Sequence, residues 1–459
     1  MNNFFKKKQI ILFFVLCSLV LVALLFSYGK LAVQDLPTVA QSKPTVERGS
    51  IVDRHGYPLA VPTNFYHIGV TVKDIKNKEA FSKRIAEPLR MSSDEVLKII
   101  SSSRNFVYLK KKVKQETYEA VKEITSEFNY NFVTFEKIPG RNYPNHTLAS
   151  QLIGYMGDDG KGLAGIEFSQ QDILQPPIED FEKLNSTKDS LIENPSGKNI
   201  YLTIDANLQY KLEQVSHATL DKTQAESMML IAANCKTGEI LSYVSLPSAD
   251  LNEYGNSATE TKIDRPAMVA YEPGSVFKIF TVGIVHDFRG ISPNDSFLCD
   301  RMYEKRTGGE TVRIKCLEHH GWGTARDGLK YSCNDILCQI SDHIDEETFI
   351  SRIRGLGFGS KTGVELPSET NGSVKDTKNR LWSARSKPTI AIGQEISVSA
   401  LQMVQAATAI GNNGVPTKLT FINKVTNKDG SIYSVHKPEY KERVFFNPSK
   451  DYILNCMEI

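Results

Sequence analysis

Ser275 and Lys278 have residue types and a spacing that suit nucleophilic catalysis. Pro273 and Gly274 precede them and an apolar run follows, so a helix is predicted to begin at about Ser275. Residues three apart share a helix face, which places the Lys278 amine beside the Ser275 hydroxyl. A lysine with a lowered pKa can take the serine proton, and the N–H groups of a helix N-terminus can stabilise an oxyanion. Ser275 is therefore a candidate nucleophile, with a simple helix-capping serine as the alternative.

Ser332 and Asn334 form a second pair, again at the predicted start of a helix. Ser332 can relay a proton between Lys278 and a leaving amine. The carboxamide of Asn334 can hydrogen-bond a substrate amide. Each pair alone is weak evidence, because an ordinary helix cap is the more common explanation. Their combination predicts a catalytic site made of Ser275, Lys278, Ser332 and Asn334.

The sequence predicts no cofactor and no metal. His319 and His320 have no ligand cluster around them in the sequence and are interpreted as loop residues. Cys299 and Cys316 flank a polar, glycine-containing stretch that is predicted to be a hairpin. In an oxidising compartment the two can pair, and two separate thiols are the open alternative. Arg265 is interpreted as a structural anchor.

Nothing in the charge balance suggests a nucleic-acid partner, and none is predicted. The 459 residues allow two or three domains, and 55 basic residues nearly balance 53 acidic ones. The lysine-rich run 110–114 is interpreted as a solvated helix start rather than a polyanion site. Seven cysteines in a chain of this size do not indicate a disulfide-built scaffold.

The N-terminus predicts a membrane anchor over residues 9–28. Lysines at positions 6–8 precede an uncharged run of Leu, Val and Phe that is long enough to span a bilayer once. The basic flank places the N-terminus in the cytoplasm and the bulk of the chain outside it, in a single-pass protein of the cytoplasmic membrane. A cleaved signal peptide is the alternative, although no small-residue cleavage site follows the run. Cys17 is expected to be a membrane-buried thiol.

Two α+β domains are predicted after a tether at 29–45. The first, 45–185, is interpreted as a non-catalytic pedestal with a strand at 66–72 and helices at 78–90, 92–103 and 115–126. A polar connection at 175–198 leads to the second domain, 196–459. There we predict a strand at 200–204, a helix capped by Asp205, a hairpin of 227–233 with 239–245, and a strand at 418–425. A sheet with helices packed on it fits this order.

The two residue pairs match the Ser-x-x-Lys and Ser-x-Asn boxes of the penicillin-interacting serine enzymes. With them, the chain resembles the class B penicillin-binding proteins, which are membrane-anchored D,D-transpeptidases. Further motifs occur in the family's order: Arg48-Gly49-x-Ile51-x-Asp53-Arg54-x-Gly56, Arg141-x-Tyr143-Pro144, Gly165-Ile166-Glu167, Leu202-Thr203-Ile204-Asp205, Lys236-Thr237-Gly238-Glu239-Ile240-Leu241, Gly393-Gln394 and Ser397-Val398-Ser399. The resemblance runs from about residue 45 to the end. In its modest size, the pedestal is most similar to that of the septal branch of the family. Membership of the elongation branch stays open.

The resemblance implies a pedestal of the dimerisation type and a transpeptidase domain whose β-lactamase-like sheet has helices on both faces. It implies that Ser275 is acylated by peptidoglycan stem peptides ending in D-Ala-D-Ala, and by β-lactams. Lys278 would act as the base, Ser332 as the proton relay and Asn334 as a substrate contact. Other membrane proteins of division or elongation are the implied partners.

One expected box departs from the family's pattern. The family has a Lys-Thr/Ser-Gly box on a strand well after Ser-x-Asn, whereas Lys236-Thr237-Gly238 precedes Ser275 and Lys361-Thr362-Gly363 follows Asn334 too closely. Both are interpreted as turns. The sequence stops in or beside the helix that precedes the expected box, so the domain is expected to lack its last strands. A fragment of a longer protein and a shortened homologue both explain this.

Two other functions stay open. A membrane-anchored scaffold of the division machinery would keep the fold only as a binding surface. A β-lactamase or β-lactam sensor would use the same boxes, but the long N-terminal module and the lack of a deacylating glutamate motif disfavour it.

Overall fold

The computed structural model describes residues 14–15, 18–26, 46–102, 105–181, 195–307 and 309–458. Contacts divide the chain into one unit of Met1–Thr45 with Phe181–Pro195 and a second of Val46–Asp180 with Ser196–Ile459. Within the predicted anchor, residues 14–15 and 18–26 are helical with exposed side chains. The rest of segment 9–28, Cys17 and the tether at 29–45 lie outside the described residues. Among the residues that are described, no helix combines the length and the apolar character needed to cross a bilayer.

An α+β module built on one long strand opens the second unit. Its strands are β1 (Ile51–Val52), β2 (Pro58–Thr71), β3 (Phe106–Val113) and β4 (Val133–Asn142), and its helices are α1 (Lys78–Leu89), α2 (Ser93–Ser102) and α3 (Gln115–Glu127). β2 pairs antiparallel with the other three strands. Alternation along β2 turns Ile68 and Val70 into the core, where they pack with Phe81 and Ile85 from one face of α1. The three predicted helices are confirmed.

The lysine-rich run 110–114 was predicted as a helix start, and this is wrong. Residues 106–113 form β3, and α3 begins only at Gln115. Leu109 and Val113 are buried in the module's core, while the lysines between them are half-buried or exposed. Pairing with β2 and burial of these two apolar side chains therefore outweigh the low strand propensity of lysine.

Three sequence motifs of this module meet at one buried carboxylate. Arg48 Nε lies 2.7 Å from Glu167 Oε2, and Arg141 Nε lies 2.6 Å from Glu167 Oε1. All three side chains are buried. Arg141 also donates to the backbone oxygen of Gly49, at 2.7 Å. Glu167 belongs to α5 (Gly165–Ser169), which lies between the short helices α4 (Ser150–Ile153) and α6 (Gln171–Leu174).

From residue 196 onwards, the described residues of the second unit contain eleven strands and nine α-helices. The strands are β5 (Asn199–Leu202), β6 (Met228–Ala233), β7 (Ile240–Leu246), β8 (Phe297–Cys299), β9 (Met302–Thr307), β10 (Glu310–Lys315), β11 (Gly321–Gly323), β12 (Ser373–Val374), β13 (Ile396–Ser397), β14 (Ile422–Thr426) and β15 (Ile432–Val435). The helices are α7 (Ala206–Thr223), α8 (Arg265–Met268), α9 (Lys278–Asp287), α10 (Ala325–Lys330), α11 (Asn334–Ser341), α12 (Glu346–Gly355), α13 (Ser386–Ala391), α14 (Ala400–Gly411) and α15 (Asn447–Met457).

One sheet crosses the predicted domain boundary. β5 pairs parallel with β1 and antiparallel with β14, which gives the strand order β15-β14-β5-β1-β2-β3 with β4 on β2. The segments 200–204 and 418–425 were predicted as strands of the second domain alone. The observed strands are displaced from these segments by a few residues. Part of the backbone of β5 forms its hydrogen bonds with β1 of the first module.

The predicted hairpin of the second domain is confirmed as β6 and β7, which pair antiparallel. Asp205 caps α7 as predicted, because its carboxylate accepts from the N–H groups of Asn207 and Leu208. α7 packs against both strands, and α14 packs against β6. Within the described residues, the predicted sheet with packed helices is represented by this two-stranded hairpin.

Helix α9 runs through an apolar core. Phe280 and Ile284 on α9 are buried together with Phe358, Phe445 and Ile453 from other elements. A helix that is apolar on all sides needs partners all round, and α9 contacts α11, α12 and α15. The first residue of α9 is therefore held in place by the core itself.

Candidate active site

Ser275 and Lys278 are brought together by a tight turn at the start of α9. Ser275 lies in a 3₁₀ turn, Gly274–Phe277, and the α-helix begins at Lys278 rather than at Ser275 as predicted. Gly274 takes a left-handed φ of 58°, which is unfavourable for other residue types. A 3₁₀ turn superimposes residues three apart, and Lys278 Nζ lies 3.2 Å from Ser275 Oγ.

The second pair converges on the same amine. Lys278 Nζ lies 2.6 Å from the backbone oxygen of Ser332, 3.0 Å from Ser332 Oγ and 2.8 Å from Asn334 Oδ1. The Ser332 hydroxyl donates to Ser275 Oγ at 2.8 Å. The structure thus joins all four predicted site residues in one hydrogen-bonded cluster.

Burial differs sharply across this cluster. Ser275 and Ser332 are exposed, whereas Lys278 is 1% exposed. Burial lowers the pKa of Lys278, and the opposing attraction of thiolates at Cys333, Cys316 and Cys338 is weaker. The site therefore presents two accessible hydroxyls beside an amine that gives up its proton more readily than an exposed lysine does.

Ser332 and Asn334 are positioned by the junction between α10 and α11. Ser332 adopts a left-handed φ of 51°, an uncommon conformation for serine. Cys333 is the N-cap of α11, fully buried, and its N–H donates to the oxygen of Gly328 at 2.8 Å. The side-chain nitrogen of Asn334, Nδ2, donates to the backbone oxygen of Lys315 at 3.2 Å. The carboxamide therefore bridges Lys278 and β10, and its contact with a substrate amide stays a prediction.

A glycine that the sequence analysis noted only as a family motif supports the nucleophile turn. The N–H of Gly274 donates to the oxygen of Gly393 at 2.9 Å. Gly393 has φ 81°, and a Cβ there would lie 2.0 Å from the oxygen of Gly274. Tyr271 and Val398 exchange two backbone hydrogen bonds of 2.9 Å, and Glu272 accepts from the N–H of Glu395 at 2.9 Å. The segment after α13 thus fixes the backbone that leads into Ser275.

Two sequence profiles match most of the chain between them. The profile of the penicillin binding protein transpeptidase domain matches residues 228–458, and that of the penicillin-binding protein dimerisation domain matches residues 43–189. The chain belongs to the class B penicillin-binding proteins. The motifs around Arg48, Arg141 and Glu167 fall in the dimerisation domain, and the four-residue cluster falls in the transpeptidase domain.

Relatives within this family share about a quarter of the sequence. Stage V sporulation protein D of Bacillus subtilis is 28% identical over 381 residues, which are 80% of this chain and 58% of the relative. The peptidoglycan D,D-transpeptidase FtsI of Buchnera aphidicola subsp. Schizaphis graminum is 27% identical over 474 residues, 98% of this chain and 78% of the relative. The chain thus spans little more than half the length of the first of these relatives.

Solved structures of penicillin-binding proteins share the fold. Penicillin binding protein 2X of Streptococcus thermophilus superimposes with a TM-score of 0.72 at 21% identity, over 90% of this chain and 65% of that one. Penicillin binding protein 3 of Mycobacterium tuberculosis, complexed with aztreonam, gives a TM-score of 0.66 at 22% identity, over 90% of this chain and 74% of that one.

Other residues that the sequence analysis singled out have structural contacts. Gly238 takes a left-handed φ of 77° in the turn between β6 and β7. Thr362 donates through its hydroxyl to Glu369 at 2.6 Å. Arg265, the predicted anchor, donates to the oxygen of Glu260 at 3.0 Å. The prediction that neither Lys-Thr-Gly segment is the family's third box stays a prediction.

The interpretation of His320 as a residue without a ligand cluster is wrong. Its Nδ1 lies 3.4 Å from Cys299 Sγ and 3.7 Å from Cys316 Sγ. Cys299 and Cys316 flank the β9–β10 hairpin as predicted, and both are free thiols. The cluster was missed because its ligand types are spaced irregularly, without the Cys-x-x-Cys pairs that mark most metal sites.

Proposed function

We propose that this chain carries the acylation site of a peptidoglycan D,D-transpeptidase that cross-links stem peptides. One observation carries the proposal: a single buried amine, that of Lys278, contacts the hydroxyls of both Ser275 and Ser332. A shared base between two hydroxyls is what a serine acyl transfer with a separate proton relay requires. The relative from Buchnera named as a D,D-transpeptidase supports the substrate class.

Acylation follows from the geometry. Neutral Lys278 accepts the Ser275 proton as Ser275 Oγ bonds to the carbonyl carbon between two terminal D-alanines. The backbone N–H of Ser275 is one donor for the resulting oxyanion. The C–N bond then breaks, the leaving D-alanine takes the hydroxyl proton of Ser332, and Lys278 returns a proton to Ser332. An ester on Ser275 and a neutral Lys278 remain.

Cross-linking reverses the proton path. The amine of a neighbouring stem peptide attacks the ester carbon, and its proton passes through Ser332 to Lys278. Lys278 then protonates Ser275 Oγ as the ester C–O bond breaks. The products are the new peptide bond and the free enzyme.

Labelling with a fluorescent penicillin tests the proposal, since a β-lactam would acylate Ser275 and leave a slow ester. We expect covalent labelling of the full chain, no labelling of Ser275→Ala, and unchanged labelling of Ser296→Ala, which removes an exposed hydroxyl outside the cluster. A wild-type chain that folds but is not labelled would contradict the proposal and leave a scaffold role. Rapid release of the adduct would indicate a β-lactamase instead.

The cellular setting is also proposed. The basic residues at 6–8 and the apolar run after them support a single cytoplasmic-membrane anchor with the transpeptidase domain outside. The relatives named FtsI support a role for this chain at the septum, together with other division proteins. Protease added outside spheroplasts should degrade the domain, and a fluorescent fusion should concentrate at division sites. Protection from the protease would contradict the proposed orientation.

A further inference from the structure

Three cysteines and one histidine meet directly beneath the Ser-x-Asn motif. The four ligand atoms of Cys299, Cys316, His320 and Cys333 all lie within 4.8 Å of one another. The three cysteines are buried, and His320 is half-buried. They come from four places in the fold: the end of β8, the residue after β10, the residue before β11, and the N-cap of α11.

The distances match those of a tetrahedral metal site. Zn–S bonds of about 2.3 Å and Zn–N bonds of about 2.0–2.1 Å place the ligand atoms of a tetrahedron about 3.4–3.8 Å apart. Cys316 Sγ and Cys333 Sγ are 3.7 Å apart, Cys316 Sγ and His320 Nδ1 are 3.7 Å apart, and Cys299 Sγ and His320 Nδ1 are 3.4 Å apart. Three edges of the expected tetrahedron are therefore already present.

Backbone N–H groups point at two of the sulfurs. The backbone N–H groups of Asp335, Glu318 and Asn334 donate to the sulfur of Cys316, and the N–H of Ile336 donates to Cys333 Sγ at 3.4 Å. Such donors stabilise sulfur that carries negative charge. The His320 ring stacks on Tyr331, with centroids 5.7 Å apart, which restrains its orientation.

We infer that Cys299, Cys316, His320 and Cys333 form a structural zinc site that holds the Ser-x-Asn motif in its active conformation. Three thiolates and one imidazole are a ligand set that selects Zn²⁺, and four protein ligands leave no position for a reacting water. The role is therefore structural. Zinc binding itself is independent of the proposed function, and only its effect on acylation rests on that function.

The site has a specific mechanical consequence. Cys333 lies between Ser332 and Asn334, and both of these residues contact Lys278. A metal bound at Cys333 would fix the backbone on both sides, including the left-handed φ of Ser332. It would also link this backbone to the β9–β10 hairpin. The backbone oxygen of Lys315, at the end of β10, accepts a hydrogen bond from the side-chain amide of Asn334.

Metal analysis of the full chain, purified under reducing conditions, tests the inference. We expect one equivalent of zinc by mass spectrometry, and Co²⁺ exchanged into the site should show tetrahedral ligand-field bands with thiolate charge transfer. Cys299→Ser should lose the bound zinc. Cys235→Ser, which removes a thiol outside the cluster, should keep the full equivalent. His320→Gln changes a half-buried side chain and therefore perturbs folding least; we expect it to weaken zinc binding by at least about tenfold.

Chelation provides the functional readout. Removing zinc should lower Tm by several degrees and slow penicillin acylation, and adding Zn²⁺ should restore both. The inference is overturned if the folded wild-type chain binds neither Zn²⁺ nor Co²⁺, or if Cys299→Ser and His320→Gln bind zinc as wild type does. A Cys316–Cys333 disulfide in the purified protein, found by peptide mass spectrometry, would also overturn it.

Discussion

The side-chain nitrogen of Lys278 lies 2.6 Å from the backbone oxygen of Ser332 and 3.0 Å from the hydroxyl oxygen of the same residue. The backbone contact fixes the amine at the second motif whatever the side chain of residue 332 does. The hydroxyl contact then offers a proton path that does not pass through Ser275. This double attachment explains how one base can serve both the nucleophile and the leaving group.

Removal of the amine should abolish most acylation without unfolding the protein. We expect Lys278→Met, which keeps the length and apolar stem of the side chain, to slow penicillin acylation by roughly 10²–10⁴-fold, the usual contribution of a general base. Stopped-flow labelling measures the rate. Lys330→Met is the matched control, because Lys330 is exposed beside the same motif. Equal rates for Lys278→Met and wild type would contradict the assignment of the base.

The rate of acylation should rise with pH and level off at a lower pH than an ordinary lysine base would give. Only neutral Lys278 accepts the Ser275 proton, so the rate increases as pH rises through the pKa of this amine. Burial lowers that pKa below the ordinary lysine value of about 10.4, which places the midpoint of the profile below this value. The profile should be recorded with a β-lactam that is stable over the range. A rate still climbing at about pH 10.4 would argue against a desolvated base.

The parts of the fold that sequence predicted well are those set by local patterns. The helices at 78–89 and 115–127 follow apolar periodicity, and the Asp205 cap follows from residue type. The Ser275–Lys278 contact follows from spacing alone, because any helical or 3₁₀ turn places residues three apart together.

The parts that sequence missed are set by pairing between distant segments. The strand at 106–113 is rich in lysine and becomes a strand because β2 provides hydrogen-bonding partners. The pairing of β5 with β1 and the meeting of Cys299 with Cys333 depend on which loops the topology brings together. No local spacing encodes these contacts. The signal available in hindsight was three cysteines and two histidines between positions 299 and 333.

Loss of the buried carboxylate in the dimerisation domain should be strongly destabilising. Glu167→Ala would leave the buried guanidinium groups of Arg48 and Arg141 without their counter-charge. Breaking a buried pair in this way costs about 3–5 kcal/mol of unfolding free energy. Urea or thermal unfolding measures the loss.

An exposed pair serves as the control for this change. Glu304→Ala removes the partner of Arg313, whose side chain is 61% exposed, and should leave the unfolding free energy almost unchanged because solvent screens an exposed pair. Comparable losses for Glu167→Ala and Glu304→Ala would show that the buried network does not stabilise the domain.

A methyl group at Gly393 should disturb the nucleophile turn selectively. Gly393 and Gly363 have nearly equal left-handed φ values, 81° and 83°, so alanine at either position incurs a similar backbone strain of about 1–2 kcal/mol. Only at Gly393 does the new Cβ meet an obstacle, the oxygen of Gly274 at 2.0 Å, whereas nothing lies within 4 Å at Gly363. Gly393→Ala must therefore displace the backbone next to Ser275, and we expect acylation to fall by roughly tenfold or more, since small misplacements of a reacting group are costly. Gly363→Ala should lose stability but acylate at the wild-type rate. If both variants acylate equally fast, the segment after α13 does not position Ser275.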